Sequence, residues 1–307
     1  MTATSPSSAV RSRFLDLRAM DALGHMRFVT RHRIEGAYSG RHRSRQRGGS
    51  AEFVDHREYS PGEDLRRIDW KLLARTGRPY VRQYQDETNL RCTLLLDASG
   101  SMSFAGRSLN VDESKLQYVQ RLATAISQVV SAQRDQVGLG LAADGLTEFL
   151  PPGGTGAHVW RVQNAIENLR ATPASQLSEA LRQLFDRSTG RGVLIVMSDF
   201  LVDDLDTTFA PLRLFKHRRW EVIVLHVIHP DEERLPQGPA YRFDGMENDG
   251  SIDCTPTTVA AAYEEAFGKH CAAVRSLSLA AGCDYRRVST STPYLETLGG
   301  FLVERAG

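Results

Sequence analysis

Asp97, Ser99 and Ser101 sit at alternate positions in the run Leu94-Leu95-Leu96-Asp97-Ala98-Ser99-Gly100-Ser101-Met102. An apolar stretch ends on a carboxylate, two hydroxyls follow, and Gly100 lets the backbone turn tightly between them. The uncharged apolar run reads as a buried strand, so the three oxygens fall at its C-terminal end. Open α/β sheets bind their ligands at that edge. Hard oxygen donors converging on one point suit Mg²⁺ or Mn²⁺, which prefer oxygen and rarely take a full set of ligands from the protein.

A second apolar run, Val193-Leu194-Ile195-Val196-Met197, leads into Ser198-Asp199. In a parallel sheet the two strand ends share one edge, so Asp97 and Asp199 can meet although they are 102 positions apart. Between them, Ala174-Ser175-Gln176-Leu177 reads as a loop entering a helix and offers Ser175 to the same edge, with Thr172 as the alternative hydroxyl. The plainer reading is that Ser99 and Ser101 cap the turn and Asp97 is a buried, hydrogen-bonded acid. The second strand-end acid and the intervening loop favour a metal site.

Elements that would position these residues follow from periodicity. Strands are expected at 91–96, 136–142, 193–197, 221–227 and 284–288, with an edge strand at 146–150. Helices are expected at 113–134, 156–169, 176–187, 207–217, 256–281 and 293–304. This alternation predicts an α/β fold with a doubly wound, mainly parallel sheet covered on both faces. Residues 229–255 interrupt it with Pro, Gly and acidic residues and read as a surface insertion, a long loop or small hairpin. The expected organisation is a tail and short helix over 1–35, with 1–15 disordered, a basic segment over 36–90 packed on the core, and the α/β domain over 91–307.

Charge is unevenly spread. Residues 1–91 carry 18 Lys and Arg against 11 Asp and Glu, and the remainder is acidic. The basic stretch from Arg31 to Arg47 has only Tyr38 as an aromatic, too few for base stacking, which disfavours nucleic acid as the partner. The four cysteines lack metal-finger spacing and read as reduced thiols. Met1 to Arg13 has no apolar core of a secretory signal, and no run approaches the length of a membrane span, so a cytoplasmic protein is expected. Phosphate-loop, dinucleotide and nucleophile-elbow patterns are missing, and no catalytic constellation is found, so an enzyme is the weaker expectation.

Asp-x-Ser-x-Ser with its second acid and third loop resembles the metal-ion-dependent adhesion site of von Willebrand factor A-like domains. That resemblance implies that Ser99, Ser101 and Ser175 bind the metal directly and that Asp97 and Asp199 act mostly through water. An open position would be completed by a partner's carboxylate. This family usually has Thr in the third loop, where this chain has Ser175. The segment Glu52-Phe53, Arg57, Tyr59, Pro61-Gly62, Asp64, Arg66, Ile68-Asp69-Trp70-Lys71 and Ala74-Arg75 extends the likeness. It is similar to the signature of a prokaryotic family known as domain of unknown function 58, over about residues 36–230. The resemblance implies a metal-dependent adaptor working with a MoxR-type AAA+ ATPase or its client protein. By composition the Arg57 to Arg75 segment reads as an ion-paired lid packed by Phe53, Tyr59, Ile68 and Trp70. Its Arg57, Tyr59, Asp64, Arg66, Asp69, Trp70, Lys71 and Arg75 are the candidate partner contacts.

Overall fold

The computed structural model describes residues 12–15, 20, 28–29, 51–60, 68–86, 90–108, 110, 113–173, 176–247 and 250–306. They form two compact units, one of residues 32–89 and one of residues 1–31 with 90–307.

The smaller unit is an antiparallel pair, β1 (Ala51–Glu58) and β2 (Tyr80–Asp86), with helix α1 (Trp70–Thr76) between them in sequence. Asp69 starts the helix by accepting from the Lys71 and Leu72 amides, which satisfies two of the donors a helix N-terminus leaves unpaired. Gly77 ends it in the left-handed conformation, with its N–H on the Leu73 carbonyl.

In the larger unit, six strands run in the order β10 (Asp284–Ser289), β7 (Glu221–Ile228), β6 (Val193–Ser198), β3 (Arg91–Asp97), β4 (Gln136–Ala143), β5 (Gly145–Gly153). All neighbours are parallel except β4 and β5. Asp144 and Gly145 close that hairpin, Gly145 at φ 77°, which a side chain would resist. Its edge position lets β5 carry Pro151 and Pro152. The expected α/β class with a mainly parallel sheet is the observed one.

Central strands are buried along nearly their whole length, as a parallel sheet covered on both faces requires. One face packs Leu95, Leu194, Val196, Val222 and Val224 against Leu177, Leu181 and Leu184 of α4 (Leu177–Arg187) and Phe209, Leu212 and Phe215 of α5 (Leu205–His217). Elsewhere α2 (Lys115–Ala132) buries Val119, Leu122, Ala123 and Ile126, beside α3 (Gly156–Asn168) and α8 (Tyr294–Ala306). Tyr118 and Thr297 share a hydrogen bond of 2.8 Å that ties α2 to α8. Residues 229–255 resolve into a short helix α6 (Pro230–Glu233) and a two-stranded hairpin, β8 (Tyr241–Asp244) with β9 (Ser251–Cys254). Helix α7 (Pro256–Ala280) then leads back to β10.

Part of the expected disordered tail is ordered. Ser12–Leu15 form a turn that buries the Phe14 ring, and the Arg13 amide donates to Glu167. Burying an aromatic ring offsets the entropy of ordering so short a segment. The short helix expected within residues 1–35 lies mostly outside the described residues. Among the described residues no helix is long and apolar enough to cross a membrane.

Candidate metal centre

Strand register assembles the site. Leu96 of β3 pairs with Met197 of β6, so Asp97 and Ser198 end their strands side by side. The Ser198 hydroxyl donates to Asp97 Oδ2 at 2.6 Å, and the Ser99 amide donates to Oδ1 at 2.9 Å. Beyond Ser99 a single 3-10 turn, Gly100–Ser103, folds Ser101 back. Ser99 Oγ and Ser101 Oγ come within 3.0 Å of each other. Ser101 also lies near enough to Asp199 to favour the ionised form of that carboxyl.

Asp199 is aimed by the residue after it. Phe200 takes φ 55°, unusual for a side chain of its size, while its ring is buried against Phe209 at 5.3 Å. Its amide donates to Ser198 Oγ at 2.8 Å. That turn leaves Asp199 Oδ1 accepting from the Leu201 amide at 3.0 Å. Asp199 Oδ2 accepts from Lys115 Nζ at 2.6 Å. The Lys115 ammonium also pairs with Glu232 of α6.

Burial and the neighbouring Asp199 charge push the Asp97 carboxyl up to about 6. At Asp199, burial opposes ionisation, but the Lys115 ammonium outweighs it and holds that carboxyl below its ordinary range. Lys115 behaves in the same way: burial opposes its charge, and Asp199 and Glu232 more than restore it. One carboxylate of the pair is therefore compensated by the lysine, and Asp97 is not.

A divalent ion suits this edge. Ligands 2.0–2.1 Å from an octahedral Mg²⁺ lie about 2.9 Å apart along an edge, close to the separation of the two serine oxygens. Among the described residues, Lys115 pairs with Asp199 and Glu232, Asp97 lies beside Asp199, and Glu247 reaches the Ser101 amide; no three acids group to hold an ion by themselves, so a metal would rest on the serine hydroxyls. All the donors are hard oxygens.

In the third loop Thr172 forms a parallel bridge to Ser99, and its amide donates to the Ala98 carbonyl at 2.8 Å. Its hydroxyl points at that same carbonyl at 3.5 Å. Ser175 lies outside the described residues, between this bridge and Gln176, whose amide donates to the Ala143 carbonyl.

The candidate partner contacts fall in the smaller unit. Arg57 is on β1, opposite Val81, and the half-buried Tyr59 donates its amide to the Pro79 carbonyl. Asp69 is the helix cap, a structural role, and Lys71 and Arg75 are exposed on α1. Asp64 and Arg66 lie outside the described residues. One expectation is corrected: Trp70 does not pack the lid but is 60% exposed. It is the first residue of α1, while Ile68, two residues earlier and bridged to Val81, takes the buried position.

Four residues at the site escaped the sequence reading. Ser198 was readable, since it precedes the second strand-end acid. Lys115 had a weaker signal: it falls on the stripe of Val119, Leu122 and Ile126, where a solvated lysine does not belong. Glu232 and Glu247 come from the irregular insertion and carried no periodic signal.

The chain is similar in sequence and in fold to several known proteins. The family described as "Protein of unknown function DUF58" matches residues 55–273. An uncharacterized protein of Mycobacterium tuberculosis, Rv1480, is 29% identical over 235 residues, covering 75% of this chain and 72% of its own. A protein of Mycobacterium bovis, Mb1516, matches equally. Among solved structures, the conserved hypothetical protein BatB of Bacteroides thetaiotaomicron is 16% identical, with a TM-score of 0.46, covering 71% of this chain and 99% of its own. The SpRpn10 VWA domain is 11% identical, with a TM-score of 0.38, covering 69% of this chain and 94% of its own.

Proposed function

The chain belongs to the DUF58 family, and from that premise and the site geometry we propose a metal-dependent protein–protein interaction module. The observation that carries this reading is the 3.0 Å approach of the Ser99 and Ser101 hydroxyls on a loop pinned to Asp97. Ser99, Ser101 and Ser175 would hold Mg²⁺ or Mn²⁺, with Asp97 and Asp199 acting through water. A bound ion would supply a Lewis-acidic position that a partner's Asp or Glu carboxylate can complete.

Interaction is favoured over catalysis by how the two aspartates are engaged. Both oxygens of Asp97 accept hydrogen bonds, and both of Asp199 are held by Leu201 and Lys115. These contacts commit the carboxylates to orienting the two loops, and the remaining lone pair of each oxygen is left for a metal-bound water.

The partner we infer is a MoxR-type AAA+ ATPase or its client, in the cytoplasm, with Trp70, Lys71 and Arg75 on α1 as a second contact. Calorimetric titration of chelator-treated protein with Mg²⁺ and Mn²⁺, beside Asp97→Ala, tests the metal. Saturable binding lost in the variant is expected. Capture of the ATPase with and without chelator tests the partner, and capture indifferent to chelator would remove the metal from the contact.

A further inference from the structure

The tip of the β8–β9 hairpin sits on the metal loop. Glu247 Oε1 accepts from the Ser101 amide at 3.1 Å, across 146 positions of sequence. Met246 lays its carbonyl over Gly100, where a Cβ would collide with it, and the Glu247 Cγ would stand 2.9 Å from that Cβ. Met246 sulfur lies 3.7 Å from Ser103 Oγ. Gly100 is thus the residue that admits the hairpin.

The hairpin is organised within itself. Its strands pair from Tyr241 with Cys254 to Asp244 with Ser251, and the Gly245 amide donates to the Gly250 carbonyl at 2.7 Å. Arg242 reaches Asp244 and Ser251 on the same ribbon. Most of its side chains are nevertheless exposed, Ile252 by 70%. A ribbon with so little buried surface can lift away at small cost.

Resting on the reading of Asp97, Ser99 and Ser101 as a metal site, we propose that Glu247 is a built-in occupant of the carboxylate position. Its carboxylate ligates the metal that Ser99 and Ser101 hold. A partner's acidic side chain must displace the hairpin to reach that position. The chain thereby carries its own competitor, and the partner it admits is one whose acidic loop both replaces Glu247 and covers the apolar side chains of the ribbon, Tyr241, Met246 and Ile252. The alternative, that Glu247 only caps the Ser101 amide, predicts no effect on metal.

Chelator-treated wild type, Glu247→Gln and Asp97→Ala are titrated with Mn²⁺ by calorimetry, and water-proton relaxation of each complex is recorded. Glu247→Gln removes a charge but keeps the side chain's size at a half-exposed position, so the thermal midpoint without metal should match wild type. Expected is a loss of affinity of roughly tenfold, because affinity follows the charge of the ligand set. Relaxation per bound Mn²⁺ should rise as water enters the vacated position. If Glu247→Gln matches wild type in both readouts while Asp97→Ala binds nothing, the metal site stands and the role of Glu247 falls. If wild type binds no Mn²⁺, both fall together.

Discussion

Lys115 Nζ and Asp199 Oδ2 lie 2.6 Å apart with both side chains buried, at the sheet edge that also carries Asp97. A buried ammonium at this point divides the two aspartates into a compensated and an uncompensated acid. It also offsets much of the negative potential that a divalent ion would otherwise meet. Removing it should expose the full repulsion: Lys115→Met leaves Asp199 and Glu232 buried without a counter-charge, a change that costs about 3–5 kcal/mol. Urea denaturation should show that loss, and Mg²⁺ should restore more stability to the variant than to wild type. A loss below about 1 kcal/mol would mean that the carboxylates take up protons or water when the lysine is gone.

Ser198 serves two groups with one hydroxyl, donating to Asp97 and accepting from the Phe200 amide. Ser198→Ala should strand the Phe200 amide and Asp97 Oδ2 at once, at a cost of about 1–3 kcal/mol for two buried polar atoms left unpaired. Ser198→Thr keeps the oxygen and should recover most of the loss. Thermal melts measure the stability. Calorimetry should show weaker Mg²⁺ binding by Ser198→Ala, because Asp97 no longer holds the loop in place.

The sheet was readable because buried strands and amphipathic helices alternate with a strong period, and because two apolar runs end in acids. Such runs fix both the strands and the edge that carries their last residues. The site's second layer was poorly readable, since Lys115 meets Asp199 across 84 positions and Glu247 meets Ser101 across 146. Glu232 and Glu247 come from an insertion whose hairpin is short and mostly exposed. Trp70 misled for the opposite reason: a large apolar residue between charged ones suggests a core anchor, yet the helix that Asp69 starts turns it outward.

In the smaller unit the two adjacent residues should separate structure from recognition. Asp69→Ala removes a cap that holds two amides and should cost about 1 kcal/mol. Trp70→Ala should leave stability within about 0.5 kcal/mol, as expected for an exposed position, and weaken capture of the ATPase. Chemical denaturation beside a binding assay checks both. A destabilised Trp70→Ala would show that the ring is covered in solution.

Cys92 and Cys283 have their thiols pushed up to about 12 by burial. In the unfolded chain they ionise from about 9, so the folded state holds its protons longer. Their contribution is intact below pH 9 and is lost as pH rises towards 12. All four cysteines are free. Alkylation of native protein near pH 8 should therefore modify Cys254 and Cys271, which are partly exposed, and spare Cys92 and Cys283 until the chain unfolds. Mass spectrometry of the alkylated protein reads this directly, and early labelling of Cys92 would reveal local opening of β3.

Gly100→Ala tests which side of the hairpin contact yields. The added Cβ must meet the Met246 carbonyl and the Glu247 Cγ, so either the Asp97–Ser101 loop or the ribbon has to move. The loop is tied to β3 by the Ser99 amide on Asp97 and by the Met102 amide on the Ser99 carbonyl. The ribbon is mostly exposed, so it should give way. Hydrogen exchange should then speed up across the β8 and β9 strands while the global unfolding free energy stays within about 1 kcal/mol of wild type. Slow exchange there, together with a large global loss, would instead place the rigidity in the hairpin and make the Asp97–Ser101 loop the part that moves.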